Sequence, residues 1–481
     1  FGGSDVWDGG DGIDTLLTDV AAIPPDQGQI VEVDLAAGTH GLRGSDIGQD
    51  TVTGIENFTL VGAWASDVAG DDGANVLTTD EGDDTLDGGA GDDSLSSGCG
   101  DDSLFGGEGD DVLDDGGGVD TLDGGAGNDT YRRDLALTFP EEIGFVPVAD
   151  LAAGAFYALD SGPGAGSDIF IDIENVELSG EYDLQLRGDG KANVLKSDAG
   201  NDTLSGGGGN DTLDGGAGQD VSAWDVERTG VTVAISAAGL TVEDRRPDGL
   251  GIDTVAGIET FSFADEDWQA DRFTGVAGLS EDAFREFVEI YIAYFNRAPD
   301  AEGLYFYGTA FANGTSLEEA AQTFVNSTEY EATYPPGLSN LAFATEVYKN
   351  VLGRDPDQAG LNFWVPLLDS GKVTAGFFIV EVLRGAKAPI PDEASQEFRD
   401  QILIDQQYLS DKTDIGIYFS VSKGMSNVAN ATAAMRQFDG SEASIIDAVA
   451  AIDGYHVQAV DPVSGEFLIE LTGVVDDPFA A

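Results

Sequence analysis

Thr79-Asp80-Glu81-Gly82-Asp83-Asp84-Thr85-Leu86-Asp87 and Gly88-Gly89-Ala90-Gly91-Asp92-Asp93-Ser94-Leu95-Ser96 are two consecutive nine-residue units of one pattern. Four more units of the same form follow without a gap, and the run closes at Tyr131. Aspartate takes the sixth place of every unit: Asp84, Asp93, Asp102, Asp111, Asp120 and Asp129. Two residues later stands a large apolar side chain: Leu86, Leu95, Leu104, Leu113, Leu122 and Tyr131. A disordered glycine- and aspartate-rich linker shares the composition, but it does not explain the strict apolar period.

The residue types fit one chemistry. The unit is Gly-Gly-x-Gly-x-Asp followed by x-apolar-x, the signature of calcium-binding β-helix repeats. Calcium takes about six to eight oxygens at roughly 2.3–2.6 Å, from carboxylates and backbone carbonyls. Glycine lets a loop take positive φ and brings carbonyls close to an ion. The apolar triplet reads as a very short strand whose central side chain points inward. One unit is a turn plus a strand, so two units make a coil and the loops stack every eighteen residues. Asp84, Asp102 and Asp120 are then expected on one edge, and Asp93, Asp111 and Asp129 on the other, with each ion between two stacked loops.

The same pattern recurs on both sides. Gly9-Gly10-Asp11-Gly12-Ile13-Asp14-Thr15-Leu16 forms a first short segment, with Asp14 as its candidate ligand. A second block runs from Gly188 to Trp224, where Asp202 and Asp211 carry Leu204 and Leu213 at the expected places. Asp220 is its last candidate, and Ser222 stands where the core leucine belongs, which predicts that the roll ends there. Asn193 replaces a ligand aspartate and Lys191 a loop glycine, so that turn is expected to bind calcium weakly or not at all.

On these units the chain resembles the haemolysin-type, repeats-in-toxin calcium-binding proteins of bacterial type I secretion. The resemblance implies a secreted protein of a Gram-negative bacterium, extracellular or at the cell surface, that folds on several Ca²⁺ ions after export. Such repeats accompany toxins, proteases, lipases, epimerases and surface-layer proteins, so the module does not name an activity.

Composition supports the calcium reading. The 481 residues include 90 acidic and 21 basic side chains, a formal net charge of −69. Such a surface is a poor partner for nucleic acid and anionic membrane. Closely packed carboxylates raise the cost of ionising one another, so cations are needed to hold them together. Cys99 is the single cysteine, which leaves no disulfide framework within the chain. No apolar run reaches the length of a membrane span. The sequence opens in the middle of a nonapeptide, Phe1-Gly2-Gly3-Ser4-Asp5-Val6-Trp7, and is read as a C-terminal fragment.

Between the calcium blocks lie strand-like spacers. Gly54-Ile55-Glu56-Asn57-Phe58-Thr59-Leu60 returns as Asp172-Ile173-Glu174-Asn175-Val176-Glu177-Leu178 and as Gly257-Ile258-Glu259-Thr260-Phe261-Ser262-Phe263. Each copy keeps its relation to the flanking repeats, so the spacers are expected to continue the roll without an ion in every loop.

After Ser280 the repeats vanish. Phe284, Phe287, Val288, Tyr291, Ile292 and Phe295 recur at helical spacing. Ser316-Leu317-Glu318-Glu319 reads as a capping box. Further helical patterns cover 340–352, 357–369, 373–384, 393–408 and 426–451. Asn296-Arg297-Ala298-Pro299-Asp300 through Tyr307 matches Gly353-Arg354-Asp355-Pro356-Asp357 through Trp364 at an offset of 57. This duplicated unit resembles an all-helical domain of unknown function that accompanies calcium repeats in secreted and surface-layer proteins. Arg297 and Arg354 are expected to pair with a helix-start aspartate or to cap carbonyls, with an anionic saccharide contact as the alternative. The aromatic residues around them are expected in the core, with a glycan groove as the alternative.

The expected fold is therefore multidomain β plus α: calcium-loaded parallel β-roll or β-helix repeats, then an all-α domain and a short β-rich tail. The expected divisions are a calcium block over 1–131 with a spacer at about 18–68, a spacer over 132–187, and a second calcium block over 188–224. A strand-rich end of the roll over 225–275, a helical domain over 280–456 and a tail over 457–481 complete it. The tail ends Asp476-Asp477-Pro478-Phe479-Ala480-Ala481, similar to an uncleaved type I secretion signal.

No H-E-x-x-H and no G-x-S-x-G motif occurs, and only His40 and His456 are present. No catalytic residue is therefore assigned, and the reading leans away from an enzyme. Two functions remain. The first is a structural, surface-layer-associated or adhesive protein whose partners are calcium and a cell-surface glycan, lipopolysaccharide or another surface protein. The second is the secretion and folding module of an extracellular hydrolase, lyase or protease whose catalytic domain precedes Phe1.

Overall fold

The computed structural model describes residues 4–23, 29–43, 49–135, 146–159, 162–164 and 166–480. The expectations resting on Phe1, Gly2, Gly3 and Ala481 lie outside them. The chain forms two compact units: residues 1–224 with 250–262, and residues 225–249 with 263–481.

The first unit is a roll of two facing stacks of short, mostly parallel strands, generated directly by the nonapeptide period. In one stack Val68, Leu86, Leu104, Leu122 and Phe170 are successive register partners. In the other, Phe58, Leu77, Leu95, Leu113, Tyr131, Val176, Leu195, Leu213 and Val255 follow one another. These side chains are buried between the stacks, so one apolar residue per unit builds a continuous core. A one-residue slip would turn every one of them to solvent.

The spacers extend the same stacks. Hairpins at Ile30–Asp34 with Thr39–Arg43, and at Pro147–Asp150 with Ala155–Ala158, enter one of them antiparallel. Parallel pairing resumes on the far side of each: Val33 faces Val68, and Ala149 faces Leu186. The roll does not end at Ser222. Its strand Val221–Ala223 pairs with Thr260–Ser262, and Ser222 faces Phe261. The small serine leaves room that the Trp224 and Phe261 rings fill, with centroids 5.1 Å apart.

The second unit is mainly helical. After the short helix Asp271–Thr274, its helices are Glu281–Phe295, Ala301–Ala312, Leu317–Val325, Thr328–Thr333, Asn340–Leu352, Gln358–Asp369, Ala375–Lys387 and Gln396–Ile417, then Val428–Met435 and Glu442–Ala459. Ser316 and Glu319 form the capping box read from the sequence. The pattern over 426–451 divides in two because Gly440 takes φ 93° and Ser441 starts a new helix by accepting from the Ser444 N–H. A hairpin of Val231–Ser236 and Gly239–Asp244 belongs to this unit, and Leu468–Thr472 lies parallel to its first strand. The segment read as the end of the roll is thus shared between the two units.

Candidate metal centre

The turns between strands place the sixth-place aspartates in two columns inside the roll. In one column the Ser66 N–H donates to Asp84 Oδ1 at 2.6 Å. Asp84 N–H then donates to Asp102 Oδ1 at 2.8 Å, and Asp102 N–H to Asp120 Oδ1 at 2.7 Å. In the other column Asn75 N–H donates to Asp93, Asp93 to Asp111 and Asp111 to Asp129, at 2.7, 2.7 and 2.8 Å. The second block repeats the device, with Leu184 N–H to Asp202, Asp202 to Asp220 and Asn193 to Asp211. Each aspartate thereby ties two coils together.

Only one carboxylate oxygen is used in this way. The Oδ2 atoms of Asp14, Asp84, Asp93, Asp102, Asp111, Asp120, Asp129, Asp202, Asp211 and Asp220 are buried without a hydrogen-bond partner. These are the ten positions the repeat singles out as metal ligands. A buried, unpaired anionic oxygen is expensive, and groups of this kind are met by a cation or neutralised. Burial, reinforced by neighbouring carboxylates, pushes Asp93, Asp120 and Asp211 up to about 7. Asp84, Asp129 and Asp220 rise to about 6.

The glycines leave space beside these oxygens. A Cβ on Gly106 would collide with Asp111 Oδ2 and with the Gly124 carbonyl of the next coil. Gly107 has φ 112°, and a Cβ there would strike the Gly89 carbonyl. A hard oxygen set of carboxylates and carbonyls around a side-chain-free gap fits calcium.

The fifth-place acids behave differently. Asp83 is exposed, and its Oδ1 accepts the Asp101 N–H at 3.1 Å. Asp92 and Asp110 likewise accept from Asp110 and Asn128 in the following coil. The exposed ladder therefore runs opposite in sense to the buried one.

Five ladder members were missed by the nonapeptide reading. Asp120 N–H donates to Asp168 Oδ1, and Asp129 N–H to Glu174 Oε2, both at 3.1 Å. Asp211 N–H donates to Asp253, Asp220 to Glu259, and Asp14 to Glu56. The recurring Ile-Glu motif is the signal for Glu56, Glu174 and Glu259, where a glutamate takes the ladder place of the next coil; Asp168 and Asp253 are marked instead by Gly-x-Gly-x-Asp-x-apolar. Asn193 has its carboxamide fully used, accepting from Asp189 N–H and donating to the Glu174 carbonyl. Asn75 does the same with Asp71 and Glu56.

The helical unit holds a matched pair of junctions. Arg297 lies against Asp300 and Glu329 and donates to the Ala298 carbonyl, with Tyr291 5.4 Å beneath its guanidinium. Arg354 lies against Asp405 and donates to the Asp355 carbonyl, with Tyr348 5.8 Å away. Both arginines are used internally. Tyr294, Phe295 and Tyr305 are buried in the core, and Phe363 is exposed.

Comparison with known families agrees with this division. Residues 69–104, 98–131 and 187–221 match the RTX calcium-binding nonapeptide repeat. Residues 321–380 match a domain of unknown function, DUF4214. No curated protein matches the chain.

Proposed function

Taking as premise that this is a haemolysin-type RTX calcium-repeat chain with a DUF4214 domain, we propose that it is a structural or adhesive protein of the bacterial surface. Type I export delivers it unfolded, and external calcium folds its roll. RTX repeats bind calcium, and the typical carrier of such repeats is a type I substrate. Among the described residues no helix is long and apolar enough to cross a membrane.

The observation that carries this reading is the coincidence of repeat and chemistry. Among the described contacts, nine of the ten sixth-place aspartates hold one oxygen in the coil-to-coil ladder, and all ten leave Oδ2 buried and unpaired. We assign those ten as the calcium ligands, with loop carbonyls such as that of Gly124 completing the shells. Binding restricted to the folded state stabilises it by mass action. Extracellular calcium modules bind at about 10⁻⁴–10⁻³ M, so the roll stays open in a low-calcium cytoplasm and closes outside. The helical unit then serves as the attachment module, toward a surface glycan, lipopolysaccharide or protein.

Far-ultraviolet circular dichroism of the full chain tests the folding step. The strand signal should collapse on chelation and return with millimolar calcium. A strand signal indifferent to chelator would overturn it. Retention of calcium-loaded protein on cells, against protein truncated before residue 263, tests attachment.

A further inference from the structure

Ladders have ends, and here the ends differ from the interior. Interior aspartates such as Asp102 and Asp111 keep a buried oxygen without a protein partner. At three ends, Asp168, Asp253 and Glu174, a protein N–H takes the second oxygen. Asp168 follows Asp120 in its ladder, and its Oδ2 accepts from Arg133 Nη1 at 3.3 Å. Asp253 follows Asp211, and its Oδ2 accepts from Trp224 Nε1 at 2.7 Å. Glu174 follows Asp129, and its Oε1 meets the more exposed Lys191 at 2.6 Å.

The register explains why an arginine stands there. Thr79, Ser97, Asp115 and Arg133 occupy the first place of alternate units, eighteen residues apart. Thr79 Oγ1 donates to the Ser97 carbonyl and Ser97 Oγ to the Asp115 carbonyl, at 3.0 and 3.2 Å. At Asp115 a carboxylate replaces the hydroxyl, and oxygens of Asp115, Asp120 and Asp168 come within 4.8 Å of one another. Arg133, 2% exposed, brings Nη1 within 3.2 Å of Asp115 while holding Asp168. Its guanidinium also lies 5.1 Å from the Phe156 ring. A dication added among these acids would be forced against a fixed positive charge in a dry interior, where like charges repel strongly.

We propose that calcium is confined to loops whose ladder aspartates keep an unpaired Oδ2, and that Arg133 and Trp224 close the ladders at Asp168 and Asp253 in place of a metal. Unlike an ion, these donors stay with the chain when calcium is removed. The proposal rests on the ligand assignment above, and the test separates the two.

Calcium bound per folded chain is measured by equilibrium dialysis on the full chain for wild type, Asp102→Asn, Asp168→Asn, Trp224→Phe and the double variant Arg133→Met with Asp168→Asn. Asparagine keeps the Oδ1 acceptor of the ladder and removes only the charge. Asp102→Asn should lose at least one ion, whereas the other three should keep the wild-type count. If Asp168→Asn fails to fold because Arg133 loses a partner, the double variant, which deletes both charges, gives the count. Loss of calcium from the double variant or from Trp224→Phe overturns the proposal. An unchanged count in Asp102→Asn overturns the ligand assignment instead.

Discussion

The backbone N–H of Asp102 donates to Asp120 Oδ1 at 2.7 Å, across the eighteen residues of one full coil. The same carboxylate thus aligns two coils with one oxygen and presents the other, Oδ2, to the loop interior. Cross-coil alignment and metal ligation are joined in a single side chain.

That joining makes Asp102 and Asp83 a discriminating pair. Asp102→Ala should remove calcium from its edge and strand the buried Asp84 N–H, at a cost of about 1–3 kcal/mol beyond the lost ion. Asp83 is exposed, and its replacement by Ala should change stability by about 0.5 kcal/mol or less. Calcium titration followed by strand circular dichroism reads both. Equal losses would mean that charge density, and not the register, holds the ions.

Proton and calcium should compete for the same oxygens. In the metal-free fold, burial raises Asp93 and Asp211 from 3.8 to about 7, and Asp84 and Asp220 to about 6. The folded state therefore binds more protons than the unfolded one between these values. The contribution of these four groups to stability is fully present below about pH 4 and is lost as pH rises through 6 to 7. Calcium affinity moves the other way, because the ion needs the ionised form. The calcium midpoint for folding should rise roughly tenfold on going from pH 8 to pH 6. A midpoint flat across that interval would remove the buried carboxylates from the site.

The nonapeptide places were legible because each repeats a local chemical demand: glycine where the backbone turns sharply, aspartate where an anion is needed, leucine inside. Asp168 and Asp253 carry the same local signal, Gly-x-Gly-x-Asp-x-apolar, but each stands as a single unit far from its block, and only the strand register pairs them with Asp120 and Asp211. Ser222 misled for a related reason. Its missing leucine volume is supplied by Phe261 and Trp224, one of them on a strand that returns through a long excursion. In the helical unit the capping residues and the duplicated Arg-x-Pro-Asp junctions could be read directly. The partners Glu329 and Asp405, at 32 and 51 residues from their arginines, required the fold.

The C-terminal strand should matter to the helical unit as structure. Thr232 to Ser236 pair with Leu468 to Thr472, and Val233, Ile235, Ile469 and Leu471 are all buried. A fragment 225–481 should keep its helical signal in chelator. Ending it at Gly465 exposes Val233 and Ile235, each worth about 1.5–3 kcal/mol when fully buried. Thermal unfolding by circular dichroism compares the two fragments, and an unchanged midpoint would show that the strand is dispensable.

The duplicated junctions should tolerate the same substitution unequally. Arg297 has 3% of its side chain exposed and reaches Asp300, Glu329 and the Ala298 carbonyl at once. Lysine has no planar fork with which to reach several acceptors together. Arg297→Lys should leave buried acceptors unmet and cost about 2–4 kcal/mol. Arg354 has 27% of its side chain exposed and one carboxylate partner, the buried Asp405, whose charge a single lysine ammonium can still pair. Arg354→Lys should cost about 1 kcal/mol. Denaturant unfolding of the 225–481 fragment, with and without calcium, measures both. Both penalties should be independent of calcium, since no ladder aspartate touches either arginine among the described contacts. An equal or reversed ranking would mean that burial does not set the strength of these junctions. Calcium dependence of either would place a calcium site within the fragment itself.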